Sequence, residues 1–202
     1  MFEITTMDAE CFVGIQIYRD LEGVLIHQTS YAEKLIKRFE LDNCHPLPTP
    51  LRIGAMYVST GLANGANSKQ VQVPYREVLG GLMYLTTGTR PDLACAVAIL
   101  SRSCNNPRLA HWNALKDVLR YLKATTSLGI RYNKRGENKL VSFSDADYAS
   151  DVESRKSMTS ALVKLNGGPI VWKASKQTIT VESEAKAALC CARFESRSNP
   201  GF

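Results

Sequence analysis

Between Tyr75 and Leu122 the chain carries three apolar patterns of helical period, separated by two short breaks, TGTRPD and NNP. Amphipathic helices on connections this short pack against one another, because each apolar stripe needs a cover and the links give it little reach. The first stripe is Val78, Leu79, Leu82 and Leu85, the second Leu93, Ala96, Val97 and Leu100, the third Trp112, Leu115, Leu119 and Leu122. Gly80-Gly81 weakens the first helix by about 1 kcal/mol per glycine relative to alanine. Two glycines there predict a close backbone approach by a neighbouring element. Pro91 suits the first turn of the second helix, and Asn105-Asn106-Pro107 predicts an asparagine cap followed by proline for the third. His111, beside Trp112, reads as a packing or hydrogen-bonding residue rather than a catalyst.

Upstream, CFVGIQIYRD and VLIHQ flank Leu21-Glu22-Gly23 as a hairpin. Ser30, with Glu33 three residues on, has the signature of a capping box. It predicts a helix from Tyr31 to Phe39 with Tyr31, Leu35, Ile36 and Phe39 on one face. The Pro-rich NCHPLPTPLR and the small, polar STGLANGANSKQ can bury little surface, so residues 43–72 read as a linker with His45 as a loop residue. After Lys139 the period changes to two. KLVSFSDADYA, SALVKLNGG and PIVWKASKQ read as three short strands, Asn166-Gly167-Gly168-Pro169 as a turn, and SEAKAALCCARF as a helix. The class is α+β, divided as 1–42, 43–72, 73–132 and 133–202.

The 202 residues, 45% hydrophobic and 22% charged, suffice for one or two small cores. None of the six cysteines forms a C-x-x-C pair, which argues against a structural zinc site or a disulfide framework and for a reducing compartment. Cys95, inside an apolar run, is expected to act as a small hydrophobe. The acidic N-terminal stretch lacks a secretory pattern, and the longest apolar run, Leu93 to Leu100, is too short for a bilayer. An intracellular place, cytoplasm or nucleus, with no membrane contact is the expectation. Net charge is +6, and from Arg102 to Lys139 the basic residues far outnumber the acidic Asp117 and Glu137. Arg108, Lys116, Arg120 and Lys123 can share much of one helix face. With Arg131 they are candidate phosphate contacts; the alternative is a solubilising exterior.

The combined pattern YR…GGLMYL…TRPDLA…P…HW…LRYLK resembles the copia-type retrotransposon Pol polyprotein between its reverse transcriptase and ribonuclease H modules. The resemblance implies a thumb-proximal hairpin and helix (1–42), a linker (43–72), a helical connection (73–132) and an incomplete ribonuclease H domain (133–202). FSDADYASD resembles the family's first nuclease strand and puts Asp145 on its metal-binding aspartate, with Asp147 structural; GGPIVWKASKQ resembles the third strand with its buried tryptophan, here Trp172. In VESEAKA one alignment puts Glu184 on the catalytic glutamate, and a different gap puts Lys186 there. Mg²⁺ held by Asp145 and Glu184, and an RNA–DNA hybrid as partner, are what the resemblance implies. The family's remaining carboxylates and its Tyr-x-Asp-Asp polymerase motif have no match, so the expectation is an inactive remnant of reverse transcriptase and ribonuclease H with nucleic-acid binding. The first strand's edge is expected to stay open. Copia-like stretches are also similar to secreted RxLR-type oomycete effectors, which act inside plant host cells on host proteins to suppress defence or cell death. Arg120, Leu122 and Lys123 of RYLK form an R-x-L-K close to that motif.

Overall fold

A computed structural model describes residues 10–51, 71–135, 138–147 and 157–177. Among them are four α-helices and two antiparallel sheets, so the fold is α+β. The first sheet contains β1 (Cys11–Phe12), β2 (Ile15–Arg19), β3 (Gly23–His27) and β4 (Gly129–Asn133), in that order. The helices are α1 (Thr29–Arg38), α2 (Tyr75–Gly88), α3 (Ala94–Leu100) and α4 (Leu109–Ala124); single 3-10 turns, Pro91–Leu93 and Ser101–Ser103, flank α3. The second sheet is β5 (Leu140–Asp147), β6 (Met158–Leu165) and β7 (Gly168–Lys176), with β6 central. The helix expected over SEAKAALCCARF lies outside the described residues.

The core sits where the three expected stripes meet α1. Leu35 and Ile36 of α1 join Val78, Leu82, Leu93, Leu100, Leu115, Leu119 and Leu122 in one buried cluster. The glycine pair divides its roles. Gly81 faces α1, where an added Cβ would sit 2.5 Å from Leu35 Cδ1, whereas Gly80 is exposed with nothing near it. Cys95 lies on the exposed side of α3, not in the core. The apolar run around it is broad enough to cover the core without it.

Both expected caps are displaced. The helix expected from Ser30 starts at Thr29 with Gln28 as its N-cap and no side-chain cap bond. The Ser30 amide donates instead to Gln16 Oε1 of β2, 3.1 Å away, so a strand satisfies what Glu33 was expected to stabilise. The third helix starts at Leu109, later than Asn105-Asn106-Pro107 suggests. There the Arg108 amide donates to Nδ1 of buried His111 at 3.0 Å. His111 is therefore part of the helix start, and accepting at Nδ1 leaves the neutral ring's proton on Nε2.

The first sheet has two features that the sequence reading lacks. CFVGIQIYRD is two strands, because Val13-Gly14 makes a tight turn between Phe12 and Ile15 with both residues at positive φ, 49° and 78°. Strand β4 is new and pairs Ile130 with Ile26, placing the chain after α4 beside the opening hairpin. Arg131 on β4 reaches Asp20 in the β2–β3 turn at 2.8 Å. Its guanidinium holds the Asp20 carboxyl below the usual carboxylate range. That pairing is present above the ordinary carboxylate pKa and is lost as pH falls through the lowered one.

The second sheet docks on α2 and on β4, among other contacts. Trp172, half-buried rather than fully buried, donates Nε1–H to the Thr86 carbonyl of α2 at 2.7 Å. The β6–β7 turn meets β4, where the Asn133 amide donates to the Asn166 carbonyl and the Tyr132 hydroxyl to that of Pro169. β5 is an edge of this sheet among the described residues and exposes Val141 and Phe143.

A β-branched residue at positive φ is strained, and Val13 is 70% exposed, so its side chain has little packing to lose. Val13→Asn, which suits the first position of this turn, should stabilise the protein by about 1 kcal/mol and raise the thermal midpoint by about 2–4 °C. Calorimetry or thermal circular dichroism would show it.

Candidate functional site

TRPDLA builds a buried polar junction. Arg90 is 2% exposed. Its Nε and Nη2 donate to both carboxylate oxygens of Asp92, the shortest contact being 2.7 Å, and its Nη1 donates to the Thr125 carbonyl at 2.8 Å. A further bond runs from Nη2 to Thr125 Oγ1 at 2.7 Å. The Tyr121 hydroxyl donates to Asp92 Oδ2 at 2.9 Å, and its ring lies 5.7 Å from the guanidinium carbon. Burial, and then the Asp92 carboxylate, push the Tyr121 hydroxyl up, so it stays a donor. The geometry ties the end of α2 and the following turn to the C-terminal end of α4, whose last carbonyls attract a cation. Its described bonds run between its own members and join two helices.

The five basic candidates do not act alike. Arg108 starts α4 and Lys116 lies two turns on. Arg120 donates to the His45 carbonyl at 2.7 Å and pairs with Asp117 at 3.2 Å. Lys123 donates to the carbonyls of Asp42 and Cys44. The expected linker thus starts with a segment held against α4 by two of the candidate cations, and His45 is a loop residue whose carbonyl does the holding. Within RYLK, Arg120 and Lys123 are these tethers, and Leu122 is fully buried. Arg131 is on β4, away from the helix, and paired with Asp20. Lys116 has neither a hydrogen bond nor an ion pair among the described residues. It instead borders a pocket of about 250 Å³, with Arg38, Phe39, Glu40, Leu41, Pro74, Trp112 and Leu119. Sequence reading missed this pocket. Its one legible trace is the i, i+4 spacing of Trp112 and Lys116, which puts them on one helix face.

Asp145 is exposed on β5, its Oδ1 accepting the Ala146 amide at 2.9 Å. Opposite it on β6 is Ser160, and beyond that, on β7, Ala174. Asp147 pairs with Met158 at the end of the strand. Glu184 and Lys186 lie outside the described residues. Mg²⁺ takes carboxylate oxygens in near-octahedral array, and Asp145 with a serine and an alanine across from it does not supply one. Among the described residues, Asp145 and its cross-strand neighbours do not by themselves make up an Mg²⁺ site.

No protein-family model and no solved structure matches the chain. It is 33% identical over 190 residues to the retrovirus-related Pol polyprotein from transposon TNT 1-94 of Nicotiana tabacum, and 36% identical over 181 residues to that from transposon RE2 of Arabidopsis thaliana. These matches take in 91% and 89% of the chain. The chain belongs to the copia-type retrotransposon Pol family. It spans only 14% and 12% of the length of those two polyproteins. A third relative, the secreted RxLR effector protein 161 of Plasmopara viticola, is 50% identical over 112 residues, which is 55% of this chain and 79% of that protein. In this Pol chain TRPDLA and LRYLK meet at the junction of Arg90 with the end of α4 and at the tethers of residues 42–45.

Replacing Arg90 by Met keeps its bulk but leaves Asp92 and the Thr125 carbonyl without their donor. Asp92 is 31% exposed and keeps part of its hydration, so the expected loss is about 3 kcal/mol, at the low end for breaking a buried pair. Urea unfolding should show it as a lower midpoint with an unchanged slope.

Proposed function

We propose that this Pol-family chain contacts nucleic acid through α4, and that alone it neither polymerises nor cuts. The observation that carries the reading is the charge state of that helix. Lys116 is without a partner among the described residues, and Lys123 bonds backbone carbonyls, which hold an ammonium without neutralising it. Arg120 shares its charge with Asp117 and Arg131 with Asp20. Cations along one helix suit a phosphate backbone, and binding then releases counterions. An RNA–DNA hybrid is the ligand class that reverse transcription presents. The inactivity rests on Asp145, whose described cross-strand neighbours are not carboxylates.

Binding to a labelled RNA–DNA hybrid should weaken with salt, log K falling linearly against log salt with a slope of about −0.9 for each phosphate neutralised on a duplex. A flat response sinks the binding claim. With Mg²⁺ present the same hybrid should stay intact over hours. Cleavage that disappears in Asp145→Asn would show that the nuclease centre is active after all.

A second reading has the relative from Plasmopara viticola behind it: an interaction protein recruited from a Pol sequence, secreted into plant cells and acting on a host protein. In that case RYLK is a weak export signal, because Leu122 is buried and Arg120 and Lys123 hold residues 42–45. Expression in plant cells challenged with a death inducer decides this: reduced death favours recruitment, and unchanged death removes its support.

A further inference from the structure

We infer that the pocket between α1 and α4 takes one unpaired nucleobase, stacked against Trp112, with the adjoining phosphate on Lys116; this rests on the nucleic-acid reading of α4. The pocket is about 250 Å³, below the usual range for drug-sized ligands, and matches a single flat ring system. Its walls are half-buried Trp112 and Phe39 with Leu41 and Pro74, and Leu119, which is fully buried, lies beneath. An aromatic face beside a cation is the arrangement that binds single strands, because every base has a π-face and every nucleotide a phosphate.

The charges around the rim give the site a direction. Lys116 is one turn beyond Trp112 on α4, so both side chains serve one nucleotide. On the other rim Arg38 is engaged, paired with Glu77 at 2.7 Å and lying 5.7 Å from the Phe39 ring centroid. Glu40 stands on the same side and repels a second phosphate there. A base already paired and stacked in a duplex cannot enter, so the pocket selects a single strand or an unpaired end over a continuous helix.

The full chain has two tryptophans, and the indole N–H of Trp172 is committed to the Thr86 carbonyl, which makes it an internal reference. We would titrate ¹⁵N-labelled protein with an oligothymidylate of eight nucleotides and follow both indole resonances, with affinities read from anisotropy of the labelled oligomer. The expected result is a saturable shift of the Trp112 resonance alone. Lys116→Gln, a surface change that leaves the fold intact, should weaken the oligomer about fivefold and lower the salt slope by about 0.7. Binding by anisotropy with the Trp112 resonance unmoved overturns the pocket and leaves the α4 reading standing. Absence of binding to the oligomer and to the hybrid alike overturns both. A duplex of equal length that moves Trp112 as strongly as the single strand overturns the selectivity.

Discussion

A guanidinium withdrawn from water fixes the middle of this molecule. Removing a charge from solvent is costly, and a buried cation persists only where several acceptors converge on it. Arg90 finds them in Asp92, two residues on, and in Thr125, at the far end of another helix. Because Asp92 and Thr125 belong to different helical segments, satisfying Arg90 also sets how α2 and α4 meet. The apolar stripes alone would permit several rotations of one helix against another. The junction selects one.

The same economy governs α4. One side of the helix is core, with Leu115, Leu119 and Leu122 fully buried. The other side has two duties, since Arg120 and Lys123 keep residues 42–45 in place while Lys116 is left for solvent or a ligand. A basic helix face is therefore not a uniform electrostatic surface. Which cations can meet phosphate depends on which have been recruited to hold backbone carbonyls, and that division is set by a loop remote in sequence.

The helices were legible because a period of 3.6 with short links leaves few alternatives, and Val78, Leu93 and Leu115 fall where the stripes put them. The strands after Lys139 were legible from alternation and the Asn166-Gly167 turn. The helix starts were not, because their amides are satisfied from elsewhere: Ser30 by Gln16 of a strand, Arg108 by a histidine three residues on. Nor was β4, where GIRYN has too short an alternation to be read without its partner β3 in view. For the candidate site, the basic residues could be named in advance, but their pairing with Asp20, Asp117 and the 42–45 carbonyls could not, and neither could the pocket, which needs Phe39, Pro74 and Trp112 from three separate segments.

The pairing of β3 with β4 also orders events in time. Ile26 and Ile130 face each other across about half the length of the chain. Contacts between residues so distant close a large loop, and they form late compared with the turns of a helix. During synthesis the opening hairpin leaves the ribosome long before the strand that completes its sheet, and until then β3 has a free edge next to exposed Phe12, Tyr18 and Leu21. The helices between them bring the two strands together, so folding of the middle has to precede completion of the beginning.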